Sequence, residues 1–209
     1  LIPANTAKPQ RQISPRSEGL SSSEAGQVIA TLDAYNRANP MNALSLRVIA
    51  LALEAGRPAI ACSFDRPAPV SLPELLPMAP LDQMEPGTRD LMQRLARLTT
   101  GGDSKIVPSL FRHFAPWPGL LRRLADAMEE MAVGGVIDDE AKRVFEKANR
   151  IALDIFNALP PPDTQALLPD PATRKMLVDT IEIFPPTICR MIVIAGLLRA
   201  AIAPDTAKT

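Results

Sequence analysis

The chain has 209 residues, of which 46% are hydrophobic, 22% charged and 4% aromatic. Its 23 basic and 23 acidic residues give a formal net charge of +0, without a long block of like charge. This composition is typical of a globular domain, and it argues against nucleic acid or a membrane surface as a partner. We therefore predict one domain over residues 1–209.

The numbers of histidines and cysteines limit the metal sites that the chain can form. The chain has one histidine, His113, and its two cysteines, Cys62 and Cys189, have no metal-ligand spacing. We therefore expect no metal site, and the absence of nucleotide-binding and P-loop motifs leads us to expect no cofactor. Two cysteines in unrelated contexts and the lack of a visible signal peptide favour the cytoplasm as the location.

The first predicted helix begins at a capping box. Ser21 and Glu24 have the required spacing, and the residues that follow place four side chains on one face: Val28, Ile29, Leu32 and Tyr35. The pair Asn39-Pro40 predicts a break, with Pro40 in the first turn of a second helix. That second helix reads NPMNALSLRVIALALEAG and is largely apolar.

Residues 61–104 are rich in proline at first and then regain a helical period. The proline-rich part also carries apolar side chains, so we predict a strap across the surface rather than a solvated linker. A connecting helix follows and stops at Gly101-Gly102. Two amphipathic helices come next, starting near Pro118 and Asp138, and a helix over residues 172–184 precedes the end of the chain.

The last apolar stretch, PPTICRMIVIAGLLRAAIA, predicts a central helix buried on every side. Its charge-free run is too short to span a bilayer, so no membrane partner is expected. When Ile49-Ala50 is aligned with Ile194-Ala195, Pro40 falls on Pro185, which indicates an internal repeat. We predict an all-α bundle of about seven or eight helices with two pseudo-two-fold-related halves, each centred on an apolar core helix.

In this arrangement residues 21–60 form a partial first repeat and residues 105–203 the second. Glu54 and Arg199 occupy equivalent repeat positions. A buried charge is costly unless it is paired. We therefore expect these two residues to form a structural ion pair.

The segment SLFRHFAPW, residues 109–117, holds the most chemistry-bearing residues. Arg112 can bind a carboxylate through its planar fork, and His113 can act as a general base. Ser109 and Trp117 are candidate substrate contacts beside them. The alternative is that Phe111, Phe114 and Trp117 only anchor the core, while Arg112 and His113 satisfy helix ends or reach solvent.

A second group of candidates lies where the two early helices meet. Tyr35, Asn39 and Asn42 are polar residues beside a predicted helix start. Amides there can orient a water molecule or bind an anion. The alternative is that Asn39 is simply a helix cap.

Three stretches of the chain resemble the non-stereospecific 2-haloacid dehalogenases: VPSLFRHFAPWPGLL, YNRANPMNALSL and CRMIVIAGLLRAAI. That family is all-helical, has two repeats and is distantly related to the alkylhydroperoxidase-D-like proteins. The resemblance implies a cofactor-free hydrolase, in which an aspartate activates water to displace halide from a small 2-halocarboxylate. It also implies a catalytic role for Asn39, the asparagine of the family's Y-x-x-x-N element, with Asn42 one turn further on.

The chain departs from this family at two places. Leu110 stands where the alignment expects the water-activating aspartate, which leaves His113 as the substitute base. No counterpart of VPSLFRHFAPWP precedes Ser21. Two hypotheses follow. One is a hydrolase that acts on a small carboxylate. The other is a non-catalytic binding or assembly protein, which can form a homodimer that completes the missing half.

Overall fold

A computed structural model describes residues 12–57, 75–102, 107–159 and 168–202. In these ranges the protein is an all-α bundle, as predicted. Its helices are α1 (Ser22–Glu54), α2 (Pro86–Thr100), α3 (Ser109–Arg112), α4 (Pro118–Val133), α5 (Val136–Ala158), α6 (Pro171–Ile181) and α7 (Phe184–Ala201). Six of them have eleven residues or more and α3 is a single turn, so the count within the described ranges is slightly below our expectation.

Helix α1 is continuous over 33 residues, which corrects the predicted break at Asn39-Pro40. Its capping box is confirmed: Glu24 N donates to Ser21 Oγ at 3.3 Å, and Ser21 N donates to the Glu24 carboxylate at 2.8 Å. Pro40 lies inside the helix. An interior proline removes one backbone hydrogen bond, so tertiary packing must hold the two halves of α1 in line.

That packing comes from α6 and α7, which run antiparallel to α1. Asp33 accepts a hydrogen bond from Arg199 Nε at 2.9 Å, and Asn36 Nδ2 donates to the Ala195 carbonyl at 3.5 Å. Nearer the end of α1, Arg47 forms an ion pair with Glu182. The contacts therefore follow one antiparallel register, and only a two-residue turn separates α6 from α7.

The pseudo-two-fold repeat stays a prediction. The run Pro171–Ala201 has 31 residues against 33 in α1, and the aligned prolines lie inside α1 and in the first turn of α7. By length and composition Pro171–Ala201 is also apolar enough to cross a membrane, although half of its most apolar window is buried in the bundle. A buried core helix of a soluble protein meets the same criterion.

Helix α7 is the central helix, as predicted, and ten of its side chains are buried. The matching part of α1 is not buried on every side, since Met41 is 63% exposed and Ile49 is 47% exposed. The predicted pair of Glu54 with Arg199 is wrong. Arg199 pairs with Asp33, while Glu54 is exposed beside α6.

Arg190 of α7 ties the core helix to the end of α2. Its Nε donates to the Thr99 carbonyl at 2.6 Å, and its Nη2 donates to the Leu98 carbonyl at 3.1 Å. Its Nη1 pairs with Asp138 at the start of α5. One guanidinium therefore satisfies last-turn carbonyls of α2, which have no partner within their own helix.

Candidate functional site

The segment around α3 is anchored by its apolar side chains. Leu110, Phe111 and Phe114 are fully buried, which confirms the expectation that the two phenylalanines are core residues. Backbone hydrogen bonds continue the helical turn past Arg112, with Phe114 N donating to the Phe111 carbonyl at 2.9 Å. Residues four apart on such a turn share a side. Ser109 and His113 therefore point the same way.

Tyr35 of α1 meets both of these side chains. Its Oη lies 2.7 Å from Ser109 Oγ and 3.2 Å from His113 Nε2. The Tyr35 and His113 rings are arranged edge to face, with centroids 5.8 Å apart. We call Tyr35, Ser109 and His113 the Tyr35 cluster; it joins two residues of the segment 109–117 to one residue of the second group predicted from the sequence.

The protonation of His113 follows from its surroundings. Its Nδ1 contacts the carbonyl oxygen of Leu76, which can only accept a hydrogen bond, so Nδ1 carries the proton. Burial lowers the pKa of the imidazole, and the nearby Arg112 charge lowers it further, against an opposing effect of the Leu76 carbonyl. The ring is 4% exposed and neutral at neutral pH, with the Nε2 lone pair facing Tyr35.

A segment without regular secondary structure, residues 75–80, contacts the turn that carries Arg112 and His113. Ala79 N donates to the Arg112 carbonyl at 3.2 Å, and Arg112 Nε donates to the Ala79 carbonyl at 3.0 Å. This segment belongs to the predicted strap, and residues 61–74 of that strap lie outside the described ranges. The terminal nitrogens of Arg112 make no hydrogen bond to any residue that the structure describes.

The predicted amides differ in placement. Asn39 lies inside α1, so the interpretation of Asn39 as a helix cap is wrong. Its Nδ2 is buried, and in the described part of the chain it has no hydrogen-bond partner. Asn42 is exposed. Trp117, the other predicted substrate contact, donates its indole N–H to Glu24 at 3.3 Å. Asn39 is therefore the amide with an unused donor one turn from Tyr35.

Acidic residues near the predicted site are accounted for as follows. The Leu110 position, where an aspartate was expected, is fully buried and apolar. Asp126 is half exposed and pairs with Arg94 at 2.8 Å, and Asp103 lies outside the described ranges. Within the described residues, no three His, Cys, Asp or Glu side chains are grouped so that they could hold a metal ion.

An open cavity of about 360 Å³ lies elsewhere, between the end of α1 and α6. Its lining includes Glu54 and the exposed Lys175–Asp179 ion pair. Glu54 is 19 residues beyond Tyr35, about 28 Å further along the same helix. The cavity is therefore separate from the Tyr35 cluster.

Sequence reasoning grouped Ser109 with His113 but placed Tyr35 in a separate group with Asn39 and Asn42. Two signals were available: the four-residue spacing of Ser109 and His113, and the place of Tyr35 on the inward face of α1. The role of the Leu76 carbonyl had no signal, because any residue supplies a backbone carbonyl. No protein-family model and no curated protein matches this chain, so functional inference rests on the site itself.

Proposed function

We propose that the protein is a cofactor-independent hydrolase that acts on a small carboxylic acid at the Tyr35 cluster. The observation that carries this proposal is the position of Tyr35 Oη, within hydrogen-bond distance of both Ser109 Oγ and His113 Nε2. A neutral imidazole with a fixed tautomer is the state that a general base requires. The backbone carbonyl of Leu76 orients the imidazole, a role that a carboxylate often has.

The other predicted site residues have distinct parts in this proposal. Arg112 supplies its terminal nitrogens to the substrate carboxylate, since among the residues that the structure describes only its Nε makes a hydrogen bond. The unused Nδ2 of Asn39 orients water or a substrate oxygen. Asn42 contacts the substrate from the exposed side of α1. Trp117 has its N–H engaged by Glu24, so only its ring contacts substrate.

Dehalogenation of a 2-halocarboxylate is the reaction that the family resemblance favours. With Leu110 in place of the expected acid, the proton of the attacking water passes to His113 through Tyr35. The expected cytoplasmic location, the lack of a cofactor and the lack of nucleic acid or membrane partners stay predictions.

Halide release from racemic 2-chloropropionate and monochloroacetate tests this function. We expect release by the wild type and a loss of about 10²-fold or more in Tyr35→Phe and in His113→Ala, because general-base catalysis contributes about 10²–10⁴-fold. Arg143→Ala is the matched control, since Arg143 is 70% exposed and its ion pair is with Glu140 on the same helix. Circular dichroism confirms that each variant is folded.

Two results would contradict the proposal. Unchanged release in both site variants would remove Tyr35 and His113 from the mechanism. Failure of the wild type to release halide, together with failure to bind propionate in calorimetry, would remove small carboxylic acids as ligands.

A non-catalytic binding or assembly protein is the second candidate function. Leu110 favours it, as do exposed apolar side chains on α6 and at the start of α7, where Met176, Ile183 and Phe184 are 60%, 69% and 49% exposed. Surfaces of this kind often mediate association. The assembly form of this candidate predicts a homodimer in sedimentation equilibrium that Ile183→Asp dissociates, and a monomeric wild type would exclude that form.

A further inference from the structure

We propose that Ser109 is a nucleophile and that the Tyr35 cluster hydrolyses esters of small carboxylic acids through an acyl-Ser109 intermediate. This inference rests on the proposed function, because it uses the same cluster, and it names carboxylic esters as the substrate class. The acid of the proposed function then becomes the acyl half of the substrate and the product of the reaction.

The direction of the hydrogen bonds makes Ser109 the proton donor of the cluster. Because His113 Nδ1 gives its proton to the Leu76 carbonyl, Nε2 can only accept. Tyr35 therefore donates its single hydroxyl proton to Nε2 across 3.2 Å. Either hydroxyl can donate in the 2.7 Å contact between Tyr35 and Ser109. With the Tyr35 proton directed at Nε2, the donor in this contact is Ser109.

His113 is the most buried residue of the Tyr35 cluster. Ser109 and Tyr35 are partly exposed, whereas His113 is 4% exposed. A nucleophile has to reach substrate, and its base functions best where water is excluded. The order of exposure therefore fits Ser109 as the reacting group and His113 as the base.

The reaction balances without an oxidant or a metal. Ser109 Oγ forms a bond to the ester carbonyl carbon while its proton moves to Tyr35 and the Tyr35 proton moves to His113 Nε2. The carbonyl π electrons move to oxygen, and collapse of this tetrahedral species breaks the bond to the alcohol, which takes the proton back through Tyr35. Water then repeats the same steps on the acyl-serine and releases the carboxylic acid.

The developing oxyanion needs a donor that the folded protein does not already use. Asn39 lies four residues after Tyr35 on the same face of α1, and its buried Nδ2 has no partner among the described residues. An unused N–H one turn from Tyr35 is the kind of group that stabilises such an intermediate. We therefore expect Asn39→Asp, which keeps the shape but removes the donor, to slow acylation.

The test uses diisopropyl fluorophosphate and p-nitrophenyl acetate on the full chain. The fluorophosphate forms a bond to an activated serine oxygen and loses fluoride, so we expect one adduct, located at Ser109 by peptide mass spectrometry. Tyr35→Phe should slow this labelling by about 10²-fold or more. Ser45→Ala is the matched control, because Ser45 is an exposed serine of α1, and it should label and turn over like the wild type.

Failure of the folded wild type to label at Ser109 would overturn the inference, as would labelling that Tyr35→Phe leaves unchanged. Single-Trp fluorescence confirms that the protein is folded during the assay. Ser109→Ala separates this inference from the proposed function. If that variant keeps ester turnover, water attacks directly and only the acyl-serine is wrong; if the wild type neither labels, hydrolyses ester nor binds propionate, both fail.

Discussion

Replacing Arg190 by methionine should destabilise the fold by about 3 kcal/mol or more. The guanidinium donates two hydrogen bonds to the last turn of α2, and its side chain is only 15% exposed. Hydrogen bonds from a charged donor contribute about 1.5–3 kcal/mol each, and their loss leaves backbone carbonyls without partners. The pair with Asp138 adds about 1 kcal/mol at most, because the Asp138 side chain is 65% exposed.

Urea unfolding, followed by circular dichroism and by the fluorescence of Trp117, measures this difference. Trp117 is the one tryptophan of the chain, so its signal reports on the α3–α4 junction alone. Asp138→Asn is the matched control, because it removes the ion pair and leaves both backbone hydrogen bonds in place. Equal stabilities for Arg190→Met and Asp138→Asn would refute the claim that the bonds to α2 carry the energy.

Three further predictions concern single residues. Because burial holds the pKa of His113 below its ordinary 6.5, the unfolded chain binds a proton that the fold does not, so stability should fall as pH drops below about 6.5. His113→Gln should lose part of that dependence in urea melts at several pH values, and an unchanged slope would contradict it. Burial raises the pKa of Cys189 to about 11, so iodoacetamide should alkylate it only after unfolding, as peptide mass spectrometry can check; rapid native alkylation would contradict this. Pro40→Ala restores a donor inside α1 and should stabilise the protein by about 1–3 kcal/mol, and a lower melting temperature would count against it.

The fold class could be predicted from the sequence because apolar residues lie on all sides of α7, and such a helix has to be buried. The break at Pro40 was predicted wrongly because local propensity opposes an interior proline by about 3 kcal/mol, whereas packing against α6 and α7 outweighs it. Glu54 and Arg199 failed to pair for a geometric reason. Both lie near the C-terminal ends of their helices, and antiparallel helices place those ends far apart.

The candidate site was only partly accessible to sequence reasoning. Ser109 and His113 are close in the chain, so their shared side follows from helical spacing. Tyr35 is 74 residues away from Ser109, and no local pattern predicts that contact. The Leu76 carbonyl, which sets the tautomer of His113, belongs to the backbone and leaves no mark in the sequence.

The most direct test of the account is ¹⁵N NMR of the imidazole in histidine-labelled protein. His113 is the one histidine of the chain, so a single pair of ring nitrogen signals reports its tautomer and titration. We predict a proton on Nδ1, a bare Nε2, a pKa below the ordinary value, and a shift of the Nε2 signal in Tyr35→Phe. A proton on Nε2 at neutral pH, or an Nε2 signal that Tyr35→Phe leaves in place, would contradict the proposed coupling of Tyr35 to His113.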